Sequence, residues 1–83
     1  MDGQEITQRV RSIIEAQLNT AIDFDDEDAL ADHGLDSLSS VEVTLDLEDV
    51  FSVTFNDEEM TFERFATIAS IVNLLEEKLA SSG

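Results

Sequence analysis

Two side chains, Ser37 and His33, could form a nucleophile and a general base, because they lie four positions apart. Such a pair also needs an orienting group, an oxyanion hole and a substrate pocket. The sequence offers no evident third member, and an 83-residue chain has little volume for a pocket. Cysteine is absent, which excludes a thiolate nucleophile, a disulfide and a thiolate zinc site. We therefore expect no autonomous enzyme and a histidine that faces solvent in a loop.

A cluster of acidic residues between Asp23 and Asp28 invites comparison with a calcium-binding loop. An EF-hand requires glycine at loop position 6 and glutamate at position 12. Counted from Asp23, these positions hold Asp28 and Gly34, so the pattern fails. We expect weak, nonspecific binding of divalent cations and no dedicated metal site.

Charge limits the possible partners, because the chain has 20 acidic and only 4 basic residues, and its net charge is -16. No lysine or arginine occurs between residues 12 and 63. This charge would repel nucleic acid and attract basic proteins, although it could also serve solubility alone. No apolar run is long enough to span a membrane and no signal peptide is evident, so we expect a cytoplasmic protein.

Hydrophobic periodicity and the absence of proline predict an all-α fold. Helices are predicted at 4–18, 37–51, 57–64 and 68–80, the third being short. Residues 19–35 form a long acidic loop, which four apolar side chains should hold to the core: Ile22, Phe24, Leu30 and Leu35.

Capping residues support these helix starts. Asp2 with Glu5 and Asn56 with Glu59 fit a capping box, in which each residue satisfies the other's backbone N–H. Asp36 and Thr67 are predicted N-caps of the second and last helices.

The second predicted helix carries two apolar stripes, whereas one core contact needs only one. Val43, Leu47 and Phe51 lie on the first stripe and should face the core. The second stripe is either buried under the long loop or exposed as an apolar strip rimmed by acids, which is typical of a docking face. The predicted docking residues are Leu38, Val41, Glu42, Leu45, Glu48 and Asp49.

The segment Gly34-Leu35-Asp36-Ser37-Leu38 places a serine at the start of the second helix, with its hydroxyl expected to point outward. A phosphate attached there would meet unpaired backbone N–H groups and the positive end of the helix dipole. Gly34 should let the chain turn into the helix without placing a side chain in the way of a modifying enzyme. Leu35 and Leu38 should flank the serine with apolar surface. An ordinary helix cap is the alternative reading of the segment.

These residues, with the following Ser39-Ser40-Val41-Glu42-Val43, resemble the phosphopantetheine attachment motif and second helix of acyl carrier proteins. The resemblance covers nearly the whole chain. It implies a small four-helix bundle of acyl-carrier type over residues 1–83, forming a single carrier domain. The chain begins with Met and lacks proline- or alanine-rich flanks, which favours a discrete protein.

The resemblance also implies the chemistry. A phosphopantetheinyl transferase would attach 4'-phosphopantetheine from coenzyme A to Ser37, and the arm's thiol would carry acyl groups as thioesters. The chain would supply no catalytic group. Its further partners would be an acyltransferase or acyl ligase and ketosynthase-type enzymes with basic docking patches, which it would meet as a monomer.

Departures from the commonest bacterial pattern bear on the pathway. The segment Thr54-Phe55-Asn56-Asp57 lacks proline. The stretch at 60–65 is longer and more aromatic than in the usual bacterial fatty-acid carrier. These differences favour polyketide or mixed peptide–polyketide biosynthesis, with fatty-acid synthesis as the alternative. Asp36 before the serine favours an acyl carrier over a peptidyl carrier. Outside the carrier class, an acidic interaction protein without covalent cargo and a small calcium-binding protein remain open.

Overall fold

The computed structural model describes residues 2–19, 21–61 and 63–81, and the side chains of all of these except Ser37 and Ser81. The described part contains three α-helices and no strand. Helix α1 spans Gly3–Leu18, α2 spans Ser37–Phe51 and α3 spans Ile68–Ser81, and a short 3₁₀ helix covers Leu30–His33. The predicted all-α class is confirmed. None of the helices described is long and apolar enough to span a membrane.

Side-chain caps begin the three helices, as predicted. Asp2 Oδ1 accepts a hydrogen bond from the Glu5 N–H at 2.8 Å, and Asp36 does the same for Ser39. Thr67 Oγ1 accepts from the Ser70 N–H at 3.0 Å at the start of α3. Each cap satisfies an N–H group that has no partner within its helix, so the chain enters each helix at a defined residue.

The core lies where α1 packs against both α2 and α3. Each helix contributes one apolar stripe, and residues from the connections close the ends. The buried apolar residues are Ile6, Val10, Ile14, Leu30, Leu35, Val43, Leu47, Phe51, Phe55, Ile68, Ile71, Val72, Leu74 and Leu75. The stripe predicted to face the core on the second helix, Val43, Leu47 and Phe51, is buried there.

The short helix predicted at 57–64 is wrong for the described residues of that range, which lie in turns and a bend. Its capping box does form: the Asn56 N–H donates to Glu59 Oε1, and the Glu59 N–H donates to Asn56 Oδ1. A second local turn starts at once, since Thr61 Oγ1 accepts from the Arg64 N–H. Two side-chain caps thus lie five residues apart, and the second bonds the Arg64 N–H, which a continuous helix would bond internally. The segment therefore forms successive turns instead of a helix.

Ion pairs hold this turn segment to α3. Lys78 Nζ lies 2.6 Å from Glu59 Oε1, and Arg64 Nη2 lies 2.7 Å from Glu77 Oε2. The Phe55 and Phe65 rings meet edge-on beneath them, with centroids 5.4 Å apart. A cleft of about 580 Å³ beside this cluster is lined by these four charged residues and by residues 52–54. Its charges are already paired with one another.

The loop between α1 and α2 is held to the core, as predicted. Leu30 and Leu35 are buried, and Ile22 and Phe24 pack against the same core. The loop also bonds to the start of α3, because the Leu30 N–H donates to the Ala66 carbonyl at 2.9 Å. An unpredicted 3₁₀ helix at Leu30–His33 forms around the buried Leu30. The loop therefore delivers the chain to the start of α2 in a fixed position.

Candidate functional site

Ser37 is the first residue of α2 and follows the N-cap Asp36 directly. Asp36 has an extended backbone (φ -93°, ψ -177°), and its carboxylate accepts from the Ser39 N–H at 2.8 Å. The predicted position of the serine at a helix start is thus confirmed. The direction predicted for its hydroxyl lies outside the side chains that the structure describes.

Electrostatics at this helix start keep an anion in place. Two hydrogen bonds from Ser39 lower the pKa of Asp36. The bond from the backbone N–H has the larger effect, and the bond from the side chain has the smaller one. These bonds favour the ionised carboxylate, as does the positive end of the helix dipole. A phosphodiester on the neighbouring Ser37 would lie at the same helix end, which is a site that suits phosphate. Ser37 and the start of α2 therefore fit a phosphopantetheine group.

Gly34 is required by the backbone conformation. Its φ of 103° lies in the left-handed region, where it ends the 3₁₀ helix before the chain turns into α2. A Cβ added at Gly34 would lie 3.7 Å from Leu18 Cδ2, an ordinary contact. Strain and not crowding would therefore penalise any side chain here. The turn predicted for Gly34 is thus confirmed, whereas the access that it should give to a modifying enzyme stays a prediction.

The two leucines of the motif have different environments, which corrects the prediction that both provide apolar surface. Leu35 is only 6% exposed, and its N–H donates to the Leu30 carbonyl at 3.2 Å. Leu38 is 72% exposed. The chain enters the helix between them, so Leu35 anchors the motif in the core and Leu38 alone of the two is available at the surface.

The two stripes of α2 separate cleanly. Val43, Leu47 and Phe51 are buried in the core, whereas the second stripe, Leu38, Val41 and Leu45, is exposed. Burial of this second stripe under the long loop, the alternative left open by the sequence, is wrong. We call Leu38, Val41 and Leu45, with Glu42, Glu48 and Asp49, the α2 face.

The three acids of the α2 face lie in different environments. Glu42 is exposed, and its Oε2 accepts from Gln17 Nε2 of α1 at 2.7 Å. Glu48 is half-buried, and its Oε2 accepts from the Phe55 N–H at 2.8 Å, so it also fixes the chain after α2. Asp49 is exposed. No sequence pattern points to Gln17, because its contact with Glu42 depends on how two helices cross.

A cleft of about 270 Å³ opens beside the α2 face, between α2 and the turn segment. Leu35, Val41, Met60 and Phe65 line it, and Met60 is 44% exposed. Ser40, Thr44 and Thr61 add hydroxyl groups. The exposed Met60 was not singled out from the sequence, because its segment was read as a helix.

His33 packs in the loop with its ring stacked on Phe24, the two centroids 3.9 Å apart. Its Nε2 lies 3.7 Å from Asp28 Oδ2. The residue is exposed in the loop, as predicted, with one-third of its side-chain surface accessible. Among the residues described, no group of three or more acidic or histidine side chains is placed to hold a metal ion.

Comparison with known proteins identifies the class of this site. A family model described as a phosphopantetheine attachment site matches residues 8–75, a range that includes Ser37. An acyl carrier protein of Petrotoga mobilis is 38% identical over 81 residues, covering 95% of this chain and 93% of the relative. An acyl carrier protein of Thermotoga maritima is 35% identical over 78 residues, covering 92% of this chain and 94% of the relative.

A solved structure supports the same class. It is the crystal structure of Bradyrhizobium japonicum glycine:carrier protein ligase complexed with glycylated carrier protein. The match has a TM-score of 0.68 and 29% identity, and covers 87% of this chain and 96% of the other.

The helical fold and the matched attachment region define a phosphopantetheine-bearing carrier. The chain belongs to the acyl carrier protein family. It is accordingly a non-catalytic carrier with covalently attached 4'-phosphopantetheine.

Proposed function

We propose that Ser37 is the attachment residue and that residues 1–83 act as one carrier domain. One observation carries this assignment: Ser37 begins α2 directly after its N-cap, inside the span matched by the attachment-site family. The attached group supplies a terminal thiol, which holds an acyl group as a thioester. The chain's own residues supply the ester oxygen, the helix start that suits a phosphate, and the surface that partners recognise.

The partners we propose are a phosphopantetheinyl transferase, an acyltransferase or acyl ligase, and ketosynthase-type enzymes. Supporting this, the exposed leucines and acids of the α2 face present an apolar strip with a negative rim. Basic patches on partners would be drawn to a chain of net charge -16. The chain would meet these partners as a cytoplasmic monomer.

For the pathway we propose polyketide or mixed peptide–polyketide biosynthesis. The proline-free segment before the turns and the aromatic residues Phe55 and Phe65 support this. Fatty-acid synthesis is the alternative. An aminoacyl cargo is a further candidate, since the solved neighbour is a glycylated carrier protein.

Intact mass after incubation with coenzyme A, magnesium and a broad-specificity phosphopantetheinyl transferase tests the site. We expect the wild-type chain and the matched control Ser39→Ala to gain one phosphopantetheine, and Ser37→Ala to gain none at unchanged helix content. A mass gain by Ser37→Ala would disprove the assignment. A wild-type chain that stays unmodified would favour an acidic interaction protein without covalent cargo.

A second mass measurement tests the pathway. The carrier is purified from its native cells under conditions that preserve thioesters, and the acyl group is read from the released arm. A polyketide-type β-keto or branched unit would support the proposal. A simple saturated chain would favour fatty-acid synthesis, and an amino acid would favour the aminoacyl alternative.

A further inference from the structure

One contact joins the α2 face to another helix. Gln17, in the last turn of α1, donates from Nε2 to Glu42 Oε2 at 2.7 Å. Both residues lie at the surface, Glu42 exposed and Gln17 half-buried. The bond therefore links two helices at the edge of the proposed docking face, where it contributes little to the core.

Chemistry fixes the direction of this hydrogen bond. An ionised carboxylate can only accept, so Gln17 must turn its NH₂ group toward Glu42 and its carbonyl oxygen elsewhere. Among the described residues, neither Gln17 Oε1 nor Glu42 Oε1 has a hydrogen-bond partner. Within the described part of the chain, the pair thus offers two acceptor oxygens without a hydrogen-bond partner, one on a neutral amide and one on a carboxylate.

We propose that Gln17 is a positioning residue of the docking face, which holds Glu42 and adds its own oxygen to receive a partner's arginine. A guanidinium group is planar and donates along several directions at once, so it suits two neighbouring acceptors. Holding the Glu42 side chain beforehand also lowers the entropy that docking would otherwise cost. The inference rests on the proposed function, because it deepens the docking surface described there.

Two substitutions at Gln17 separate positioning from a simple link between helices. Gln17→Ala removes the bond and the extra oxygen. Gln17→Lys keeps a donor for Glu42, so a structural link would survive or strengthen, but the lysine neutralises the carboxylate that a basic partner needs. Gln8, exposed on α1 more than two turns away, offers the matched controls Gln8→Ala and Gln8→Lys with the same changes in charge.

The rate of pantetheinylation of each variant is measured with coenzyme A and a broad-specificity phosphopantetheinyl transferase. We expect Gln17→Ala to lower kcat/KM roughly two- to fivefold through KM, with kcat unchanged. Gln17→Lys should lower it further while melting at or above the wild-type temperature. The Gln8 variants should stay close to the wild type.

A double-mutant cycle with Glu42→Gln completes the test. If Gln17 acts through Glu42, Gln17→Ala should have a smaller effect in the Glu42→Gln background than alone. Wild-type kinetics for Gln17→Lys, or equal effects of the Gln17 and Gln8 variants, would overturn the inference. Failure of the proposed function would look different, since either the wild type would gain no mass or Ser37→Ala would gain the mass of one phosphopantetheine.

Discussion

The two faces of α2 have similar composition and opposite environments. Leu47 is fully buried, whereas Leu45, two residues earlier, is 59% exposed. Val43 and Val41 differ in the same way, at 1% and 50% exposure. Hydrophobic residues on the same helix therefore lie in two different environments. Because one face packs on the core and the apolar residues of the other are half or more exposed, the exposed apolar surface of the second face contributes nothing to stability.

Exposed apolar residues on a small domain carry a risk of aggregation, which the surrounding charge limits. On α2, Glu42 and Asp49 border the exposed stripe, and Asp46 is exposed on the same helix. The buried face has no such border. In the proposed function the buried stripe maintains the fold and the exposed stripe serves recognition, and the predictions below test this division.

Replacing Leu47 should have the largest effect on stability. Leu47→Ala removes a fully buried side chain and leaves a cavity, so we expect a loss of about 2–5 kcal/mol in the free energy of unfolding. A small domain has only about 5–15 kcal/mol in total, so the variant should be close to unfolding. Chemical denaturation followed by circular dichroism measures the loss.

Leu45→Ala is the matched control, because it makes the same chemical change two residues away on the exposed face. We expect it to change the unfolding free energy by less than about 1 kcal/mol. If the two variants were equally destabilised, the second stripe would belong to the core and the division of α2 would be wrong.

Charge reversal on the α2 face should affect association. Glu42→Lys should slow pantetheinylation by up to roughly tenfold at low salt, because it places a repulsive charge where a basic partner docks. The defect should shrink as salt is added, since screening weakens interactions between exposed charges. Glu76→Lys, the same reversal at an exposed position on α3, is the control. A salt-independent defect, or an equal one in Glu76→Lys, would argue against docking through Glu42.

Shortening Val41 should have a smaller effect of the same kind. Val41→Ala removes part of the exposed apolar strip, so we expect a loss of a few-fold in kcat/KM for a partner enzyme at nearly unchanged stability. The control is Val50→Ala, which makes the same change at a residue that is 41% exposed at the far end of α2. A Val41 variant as active as the wild type would exclude Val41 from the docking contact.

The sequence predicted the long helices well because their signals are local and agree with one another. For α2, the cap at Asp36 and the stripe ending at Phe51 gave the observed bounds. For α1, Asp2 and the spacing of Ile6, Val10 and Ile14 did the same to within one residue. Where capping and periodicity point to the same element, tertiary contacts only confirm it.

The prediction of a helix at 57–64 failed because the local signals of this segment conflict with its tertiary contacts. Asn56 and Glu59 form the predicted capping box, but the Glu59 carboxylate also bonds to Lys78 of α3, nineteen positions on. Contacts of that range, like the Gln17–Glu42 bond, depend on how helices cross. Periodicity could show that α2 has two stripes and predict that the first faces the core, but only the packed structure showed that the second is exposed.

The smallest effect we predict concerns the helix start itself and its dependence on pH. Hydrogen bonds from Ser39 lower the pKa of Asp36 in the folded state. A carboxyl group with a depressed folded pKa contributes stability above its unfolded pKa, about 3.9, and this contribution is lost as the pH falls through the lower folded value. Asp36→Asn keeps an N-cap that accepts a hydrogen bond at every pH, but without the charge.

We therefore expect Asp36→Asn to melt slightly below the wild type at pH 7, and the difference to vanish as the pH falls below about 3.9. Removing one negative charge from a chain of net charge -16 also relieves repulsion, which acts in the opposite direction. Asp46→Asn, at an exposed position in the middle of α2, measures that general effect alone, and its shift is subtracted. The melts are run at low protein concentration because the isoelectric point lies near 4.1. A corrected difference that stays constant from pH 7 to pH 3 would mean that the Asp36 charge does not stabilise the start of α2. Helix α2 would then be held in place by its buried stripe, Val43, Leu47 and Phe51, without help from that charge.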